Sequence, residues 1–201
     1  MKFSVIKFFL FGLLFLIHNN TRAQKNSLGN DSPQKNFQTV GGLVGYGTSV
    51  TPKTGYQIYF LMGDYSKSFH VPKRKDFVAW YAQPQFNFVK GDNTKSGSVD
   101  YEFGLNLGIR NYVKINDGFY FYQMLGSGPH YISAIVARQV NGFIFSDNMG
   151  IGTLLRLSQK NLFLNFQAIF RHISNANLNS PNGGINSVNF MIGLSKIKWR
   201  V

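Results

Sequence analysis

The stretch Tyr101-Glu102-Phe103-Gly104-Leu105-Asn106-Leu107-Gly108-Ile109-Arg110 decides the fold class. Tyr101, Phe103, Leu105, Leu107 and Ile109 fall on one side of an extended chain, and Glu102, Gly104, Asn106, Gly108 and Arg110 on the other. Successive side chains of a strand point to opposite faces, so this segment is a strand with one apolar and one polar face. Residues 76–90 repeat the pattern, with Val78, Trp80, Ala82, Phe86 and Phe88 opposing Tyr81, Gln83, Gln85 and Asn87. A soluble sandwich would bury the apolar face between sheets, whereas a membrane barrel turns it to lipid and keeps the polar face inside. The period alone fits both.

Working outward, the same β-type runs recur near 37–48, 54–65, 76–90, 99–113, 117–134, 141–156, 160–174 and 185–199. Between them lie Thr51-Pro52-Lys53, Val71-Pro72-Lys73, Gly91-Asp92-Asn93, Asn116-Asp117-Gly118 and Ser158-Gln159-Lys160, where Gly and Asn tolerate unusual φ and Pro fixes it. No helical period competes over a long window. Strands of about 10 or more residues suit a tilted membrane strand better than the usual globular length of about 5–6. Their apolar faces are rich in aromatics, and eight is the smallest common barrel count. The terminal Trp199-Arg200-Val201 departs from the aromatic last residue on which many such barrels end. The expected fold is all-β: an eight-stranded antiparallel up-and-down transmembrane β-barrel over 37–201.

Composition supports the same choice. The chain has 20 Phe, 10 Tyr and 21 Gly, and only 14% of its residues are charged. Soluble domains carry about a quarter, so much of this surface faces something other than water. The net charge is +13, falling to +10 once Lys2, Lys7 and Arg22 are removed. Anionic lipid headgroups match that balance better than nucleic acid, which an exported protein rarely meets. With no cysteine, a lipid-anchored cysteine, disulfides, thiol catalysis and thiolate metal sites are excluded together.

Export follows from the start of the chain. Lys2 and Lys7 lead into the apolar run Phe8–Ile17, followed by a polar stretch ending Thr21-Arg22-Ala23, the order of a secretory signal peptide cleaved after Ala23. The run is shorter than the roughly 20 residues of a spanning helix. Residues 1–23 are thus expected to be a signal peptide and the polar residues 24–36 a flexible arm.

The chemistry concentrates in Phe170-Arg171-His172-Ile173-Ser174-Asn175-Ala176 and Ser180-Pro181-Asn182-Gly183-Gly184-Ile185-Asn186. His172 and Ser174 share a face with Leu162, Leu164, Phe166, Ala168 and Phe170, and so end an apolar stripe. Asn186 is in phase with Val188, Phe190, Ile192 and Leu194 on the next strand, and a hairpin around 175–185 brings it beside them. A serine attacks an ester when a neighbouring base takes its proton, and histidine is the usual base. Asn186 could orient the imidazole, and Asn175 or Asn182 could donate to the developing oxyanion. The plainer reading is a capping serine beside an interfacial histidine at a strand end.

This stretch resembles the lipid A 3-O-deacylases of PagL type, acyloxyacyl-hydrolase-like outer-membrane barrels with His-x-Ser-Asn, then Pro-Asn-x-Gly-Ile, then a catalytic Glu. The match is strong over about fifteen residues, His172–Asn186, and looser over the eight-strand plan. The resemblance implies that His172 is the base, Ser174 the nucleophile, and Asn175 and Asn182 parts of the oxyanion or substrate-positioning site. Its substrate would be lipid A of lipopolysaccharide, approached among outer-membrane lipids. Where the family has Glu this chain has Asn186, which can fix a tautomer but carries no charge to stabilise an imidazolium. Asp147 is the alternative acid: with a tight turn near 158–159, Phe145 pairs with His172 and Asp147 lies nearby on the same face.

Elsewhere, His70 beside Pro72-Lys73-Arg74-Lys75 reads as a charged loop. His130 reads as a structural residue of a bent strand, and Glu102 with Arg110 and Asn106 as a lumen polar network. No metal motif, phosphate loop or Gly-x-Ser-x-Gly elbow occurs, so no cofactor is expected. Two functional readings remain open: an outer-membrane esterase, or a non-catalytic structural or adhesive barrel.

Overall fold

The structure, a computed structural model, describes residues 36–69, 71, 76–92 and 99–199. The expected signal peptide and all of the expected arm but Asn36 lie outside the described residues, as do His70 and 72–75. Eight strands follow in order: β1 (Phe37–Ser49), β2 (Gln57–Phe69), β3 (Phe77–Lys90), β4 (Asp100–Asn116), β5 (Phe119–Ile132), β6 (Gly142–Ser158), β7 (Leu162–Ser174) and β8 (Ile185–Trp199). Each pairs antiparallel with its chain neighbours, and β8 closes on β1. Closure leaves no unpaired edge, which is what allows strands to cross a bilayer. No helix among the described residues is long and apolar enough to do so.

The alternation read from the sequence sorts inside from outside. Ile109 and Phe190 are 55% and 63% exposed, whereas Glu102 and Arg110 are fully buried in the lumen. Large apolar side chains cover the outer surface from every strand, among them Val44, Leu61, Trp80, Phe103, Tyr131, Ile151, Phe166 and Leu194. A soluble sandwich is overturned by this surface, since patches beyond a few hundred Å² are rare on soluble monomers.

Strand ends differ modestly from expectation, for local reasons. β2 begins at Gln57 because Ser49–Tyr56 forms a closed loop. Ser49 Oγ meets Thr54 Oγ1 at 2.6 Å, Thr54 Oγ1 donates to Thr51 O at 2.8 Å, and Lys53 turns the chain with φ 59°. β5 ends before Ser133, whose hydroxyl accepts from Tyr101 N and donates to Asp100 Oδ1, tying the chain back to β4.

The lumen is filled rather than hollow. At the end where β1 begins and β8 finishes, Phe37 packs edge-on against Phe77, Tyr112 and Trp199, with centroids 5.2, 5.2 and 5.5 Å away. Above this plug lie two buried charge clusters. Asp64 of β2 accepts from Arg110 Nη1 and Nη2 at 3.0 and 2.6 Å and from Gln83 at 2.9 Å. Glu102 accepts from Arg171, from His130 Nδ1 at 2.8 Å, from Asn87 at 3.1 Å and from Tyr56 at 3.0 Å. The lumen polar network expected of Glu102, Arg110 and Asn106 is present as two clusters: Asn106 meets His130 Nε2 at 3.2 Å in that of Glu102, Arg110 lies in that of Asp64, and Glu102 and Arg110 themselves do not touch. Eight residues apart on one strand, they sit roughly 26 Å from each other, and each finds its partner across the lumen. His130 belongs to the Glu102 cluster. The interior space beside Phe60, Met62 and Arg171 holds about 10 Å³, too little for a column of water.

Removing one member of a buried pair strands the other charge, at a cost of about 3–5 kcal/mol. Arg110→Met is expected to destabilise the barrel by that amount. The double variant Arg110→Met with Asp64→Leu should recover much of the loss, as denaturant titration of the barrel in micelles will show.

Candidate active site

β7 alternates cleanly: Phe163, Asn165, Gln167, Ile169, Arg171 and Ile173 are buried in the lumen, while Phe166, Phe170, His172 and Ser174 point outward. Arg171 anchors this end of the strand from inside, through Glu102, Ser146 Oγ at 2.7 Å and Tyr56 OH at 3.0 Å. The next residue, His172, is thereby presented on the outer face.

Register then assembles a row. Asp147 of β6 is opposite His172, and His172 is opposite Asn186 of β8. One strand further, Ser127 of β5 is opposite Asp147. Four polar residues thus run side by side across β5–β8 on the outward face, with Met149, Phe170 and Val188 below them. Ser174 stands beyond the row, opposite Phe145. The pairing of Phe145 with His172 expected from a tight turn is off by two residues. The turn keeps Gln159, Lys160 and Asn161 (φ 57°), and a bulge sits between Arg156 and Ser158. The correction brings Asp147 directly opposite the imidazole.

His172 Nδ1–H donates to Asn186 Oδ1 at 2.7 Å. In the neutral ring this leaves the Nε2 lone pair free to act as a base. Asn186 is itself clamped by the β1–β2 loop. Its main-chain N–H donates to Thr51 Oγ1 at 2.7 Å, and its carbonyl accepts from Val50 N at 2.9 Å and Ser49 Oγ at 3.2 Å. The Asp147 carboxylate accepts from Ser127 Oγ at 2.6 Å. The Ser174 hydroxyl has no hydrogen-bond partner among the described residues.

The β7–β8 loop leaves β7 after Ser174 and returns beside His172 at Gly184. Asn175 is buried: its N–H donates to Asn182 Oδ1 at 3.0 Å, its Nδ2 donates to Asn179 O at 2.8 Å, and its Oδ1 accepts from Asn177 N at 3.1 Å. Asn182 Nδ2 donates to Asn177 Oδ1 at 3.0 Å and has a second hydrogen to offer. Gly184 has φ 64°, and a Cβ there would come within 2.6 Å of His172 Cε1. Its bare backbone is the wall behind the imidazole. Gly184→Ala is expected to push the ring aside and weaken its 2.7 Å bond to Asn186. Imidazole NMR resonances moved from their wild-type positions would check this.

Sequence reading located His172, Ser174, Asn175, Asn182, Asn186 and Asp147, and all lie at this end of β6–β8. It missed Ser127 and Thr51. Ser127 is in phase with the outward residues Phe121 and Leu125, so parity carried a signal, but only register ties it to Asp147. Thr51 reaches Asn186 across 135 residues of sequence, and nothing local announces it. Among the described residues no cluster of metal-ligating side chains occurs.

A closed eight-stranded barrel with an apolar exterior and a packed lumen defines an outer-membrane β-barrel, here with a His/Ser row on its outward face. The chain belongs to the lipid A 3-O-deacylase (PagL) family, whose model matches residues 20–195. Its structure is similar to the crystal structure of the outer membrane enzyme PagL, with a TM-score of 0.56 and 19% identity over 77% of this chain and 97% of that one. Ail, the attachment invasion locus protein of Yersinia pestis, is 12% identical over 82% of this chain and 98% of its own, with a TM-score of 0.46. None of the curated proteins matches the chain.

Proposed function

We propose that this protein is an exported outer-membrane esterase that removes the 3-O-linked acyl chain of lipid A, with Ser174 as nucleophile and His172 as base. The observation that carries the reading is the 2.7 Å hydrogen bond from His172 Nδ1 to Asn186, on the same outward face as Ser174. It is the tautomer that leaves Nε2 to take a hydroxyl proton. Family membership supplies the substrate class.

The chemistry runs in two halves. Ser174 Oγ attacks the ester carbonyl as its proton passes to His172 Nε2. The tetrahedral oxyanion takes a hydrogen bond from the free N–H of Asn182, in a loop that Asn175 holds in shape. Collapse breaks the bond to the sugar oxygen, which receives the proton from Nε2, and leaves an acyl-serine. Water, deprotonated by Nε2, then releases the fatty acid. Asn186 keeps the ring oriented, and Asp147 opposite it is the one carboxylate of the row available to balance an imidazolium. No cofactor takes part in these steps.

The site faces lipid, so the substrate's acyl chains stay in the membrane while the ester reaches Ser174. A shallow apolar depression of about 250 Å³ lies on the same face, lined by Ile151, Phe166, Ala168 and Phe190. Ala168 is four residues from His172, roughly 13 Å along the strand, and an acyl chain descending from the site would cross it. Residues 1–23 direct export, and the start of β1 and the end of β8 lie on the periplasmic side. The β7–β8 loop then faces outward, towards lipopolysaccharide in the outer leaflet, and nucleic acid is not a partner.

A second reading, a non-catalytic structural or adhesive barrel, is favoured by one residue: Asn186 in place of the family's Glu. The purified barrel in detergent separates the two. Incubated with lipid A, it is expected to release one acyl chain per molecule as free fatty acid; the non-catalytic barrel releases none.

A further inference from the structure

One cation at the rim of the site is left without a role by this mechanism. The β5–β6 connection folds into a turn in which Val136 and Gln139 exchange main-chain hydrogen bonds of 3.1 Å, with Arg138 at its tip. That turn is docked on the β7–β8 loop. Gly183 N donates to Arg138 O at 2.7 Å, Val140 N to Pro181 O at 3.3 Å, and Gln139 bridges Asn182.

The Arg138 guanidinium lies back across the same loop and donates from Nη2 to Gly183 O at 3.0 Å. A Cβ at Gly183 would come within 2.7 Å of Arg138 Nε, so any larger residue there would move the guanidinium from its present place. In the family motif this position is the variable one between Asn and Gly, and here it is shaped to the arginine. Among the described residues no carboxylate lies within ion-pair distance of Arg138, and the residue is partly exposed. From Gly183 the path to the nucleophile is short: Asn182 holds the N–H of Asn175, which follows Ser174.

A fixed, unpaired guanidinium offers paired donors that match the oxygens of a phosphate. We propose that Arg138 binds a phosphate group, and that this phosphate belongs to the headgroup of the lipid whose ester is presented to Ser174. The placement favours this occupant. Arg138 stands at the headgroup end of the outward apolar surface, where a lipid held at the site carries its polar groups. As regards turnover the inference rests on the esterase reading; as regards binding it does not.

The test therefore measures binding and hydrolysis separately. The Ser174→Ala barrel in detergent is titrated with phosphorylated lipid A and with the same lipid A dephosphorylated, and bound lipid is counted by native mass spectrometry. The phosphorylated form is expected to bind at least about tenfold more tightly, the scale of one charge-assisted pair. Adding Arg138→Gln should abolish the preference, and Arg138→Lys should keep part of it. Gly183→Ala, which displaces the guanidinium while retaining it, should weaken it. Circular dichroism reports that each variant is folded.

Equal binding of the two lipids overturns the proposal, as does a preference that survives Arg138→Gln. Inorganic phosphate should compete only at concentrations far above that of the lipid; if it binds Arg138 as tightly as the phosphorylated lipid does, Arg138 takes the free ion and the headgroup assignment is overturned. Should the wild type hydrolyse neither lipid while the Arg138-dependent preference persists, the esterase reading fails and the phosphate site stands. Hydrolysis without any preference has the opposite meaning.

Discussion

Ser174→Ala is expected to lower hydrolysis of lipid A by about 10⁴-fold or more, with KM changed little. A serine nucleophile and its base act as one unit, and losing either costs nearly as much as losing both. His172→Ala should therefore match Ser174→Ala, and the double variant should be no worse than either. Neither change removes lumen packing, because both side chains point outward. The folded fraction should stay as in the wild type. Steady-state release of fatty acid by the two single variants and the double variant checks this. Independent, multiplying losses would show that the two residues do not share a step.

Asn186→Glu is expected to raise turnover about tenfold. Asn186 Oδ1 already accepts from His172 Nδ1 at 2.7 Å, and the Thr51 clamp fixes the strand that carries it. A carboxylate there would keep the tautomer and add charge where the imidazolium forms. Hydrogen bonds to charged groups are worth about 1.5–3 kcal/mol, against about 1 kcal/mol for neutral ones. A difference of about 1.4 kcal/mol is tenfold in rate. The gain should appear in kcat. Asn186→Leu, which removes the acceptor, should lose about 100-fold or more, since proton transfer by a positioned base contributes that much. If Asn186→Glu leaves kcat unchanged while Asp147→Asn lowers it sharply, then Asp147 already supplies the charge. The acid of the row then belongs to β6 rather than β8.

Alternation in 99–113 and 76–90 was enough to sort side chains onto two faces, because the strand period leaves no choice once the chain is extended; strand length, aromatic content and low charge were needed to say that the apolar face is the outer one. The parity of His172, Ser174 and Asn186 was legible for the same reason, and the hairpin between them is local. Register between β6 and β7 was not. The left-handed Asn161 and the bulge at Arg156/Ser158 moved the pairing by two residues, and with it the neighbour of the imidazole. Longer connections were invisible in principle. Asp64 reaches Arg110 across the lumen, Thr51 reaches Asn186 across the closing seam, and Arg138 reaches Gly183 from one loop to another. The first two are created by the closed barrel and the third by the packing of two loops, and no spacing along the chain records any of them.

The most direct test is the mass of lipid A extracted from outer membranes of cells producing the wild type, Ser174→Ala or His172→Ala at equal folded levels. The wild type should shift lipid A down by the mass of one hydroxyacyl chain lost from a 3-O position, and neither variant should shift it. Unchanged lipid A in the wild type, or the same shift in Ser174→Ala, would contradict an esterase built on Ser174 and His172.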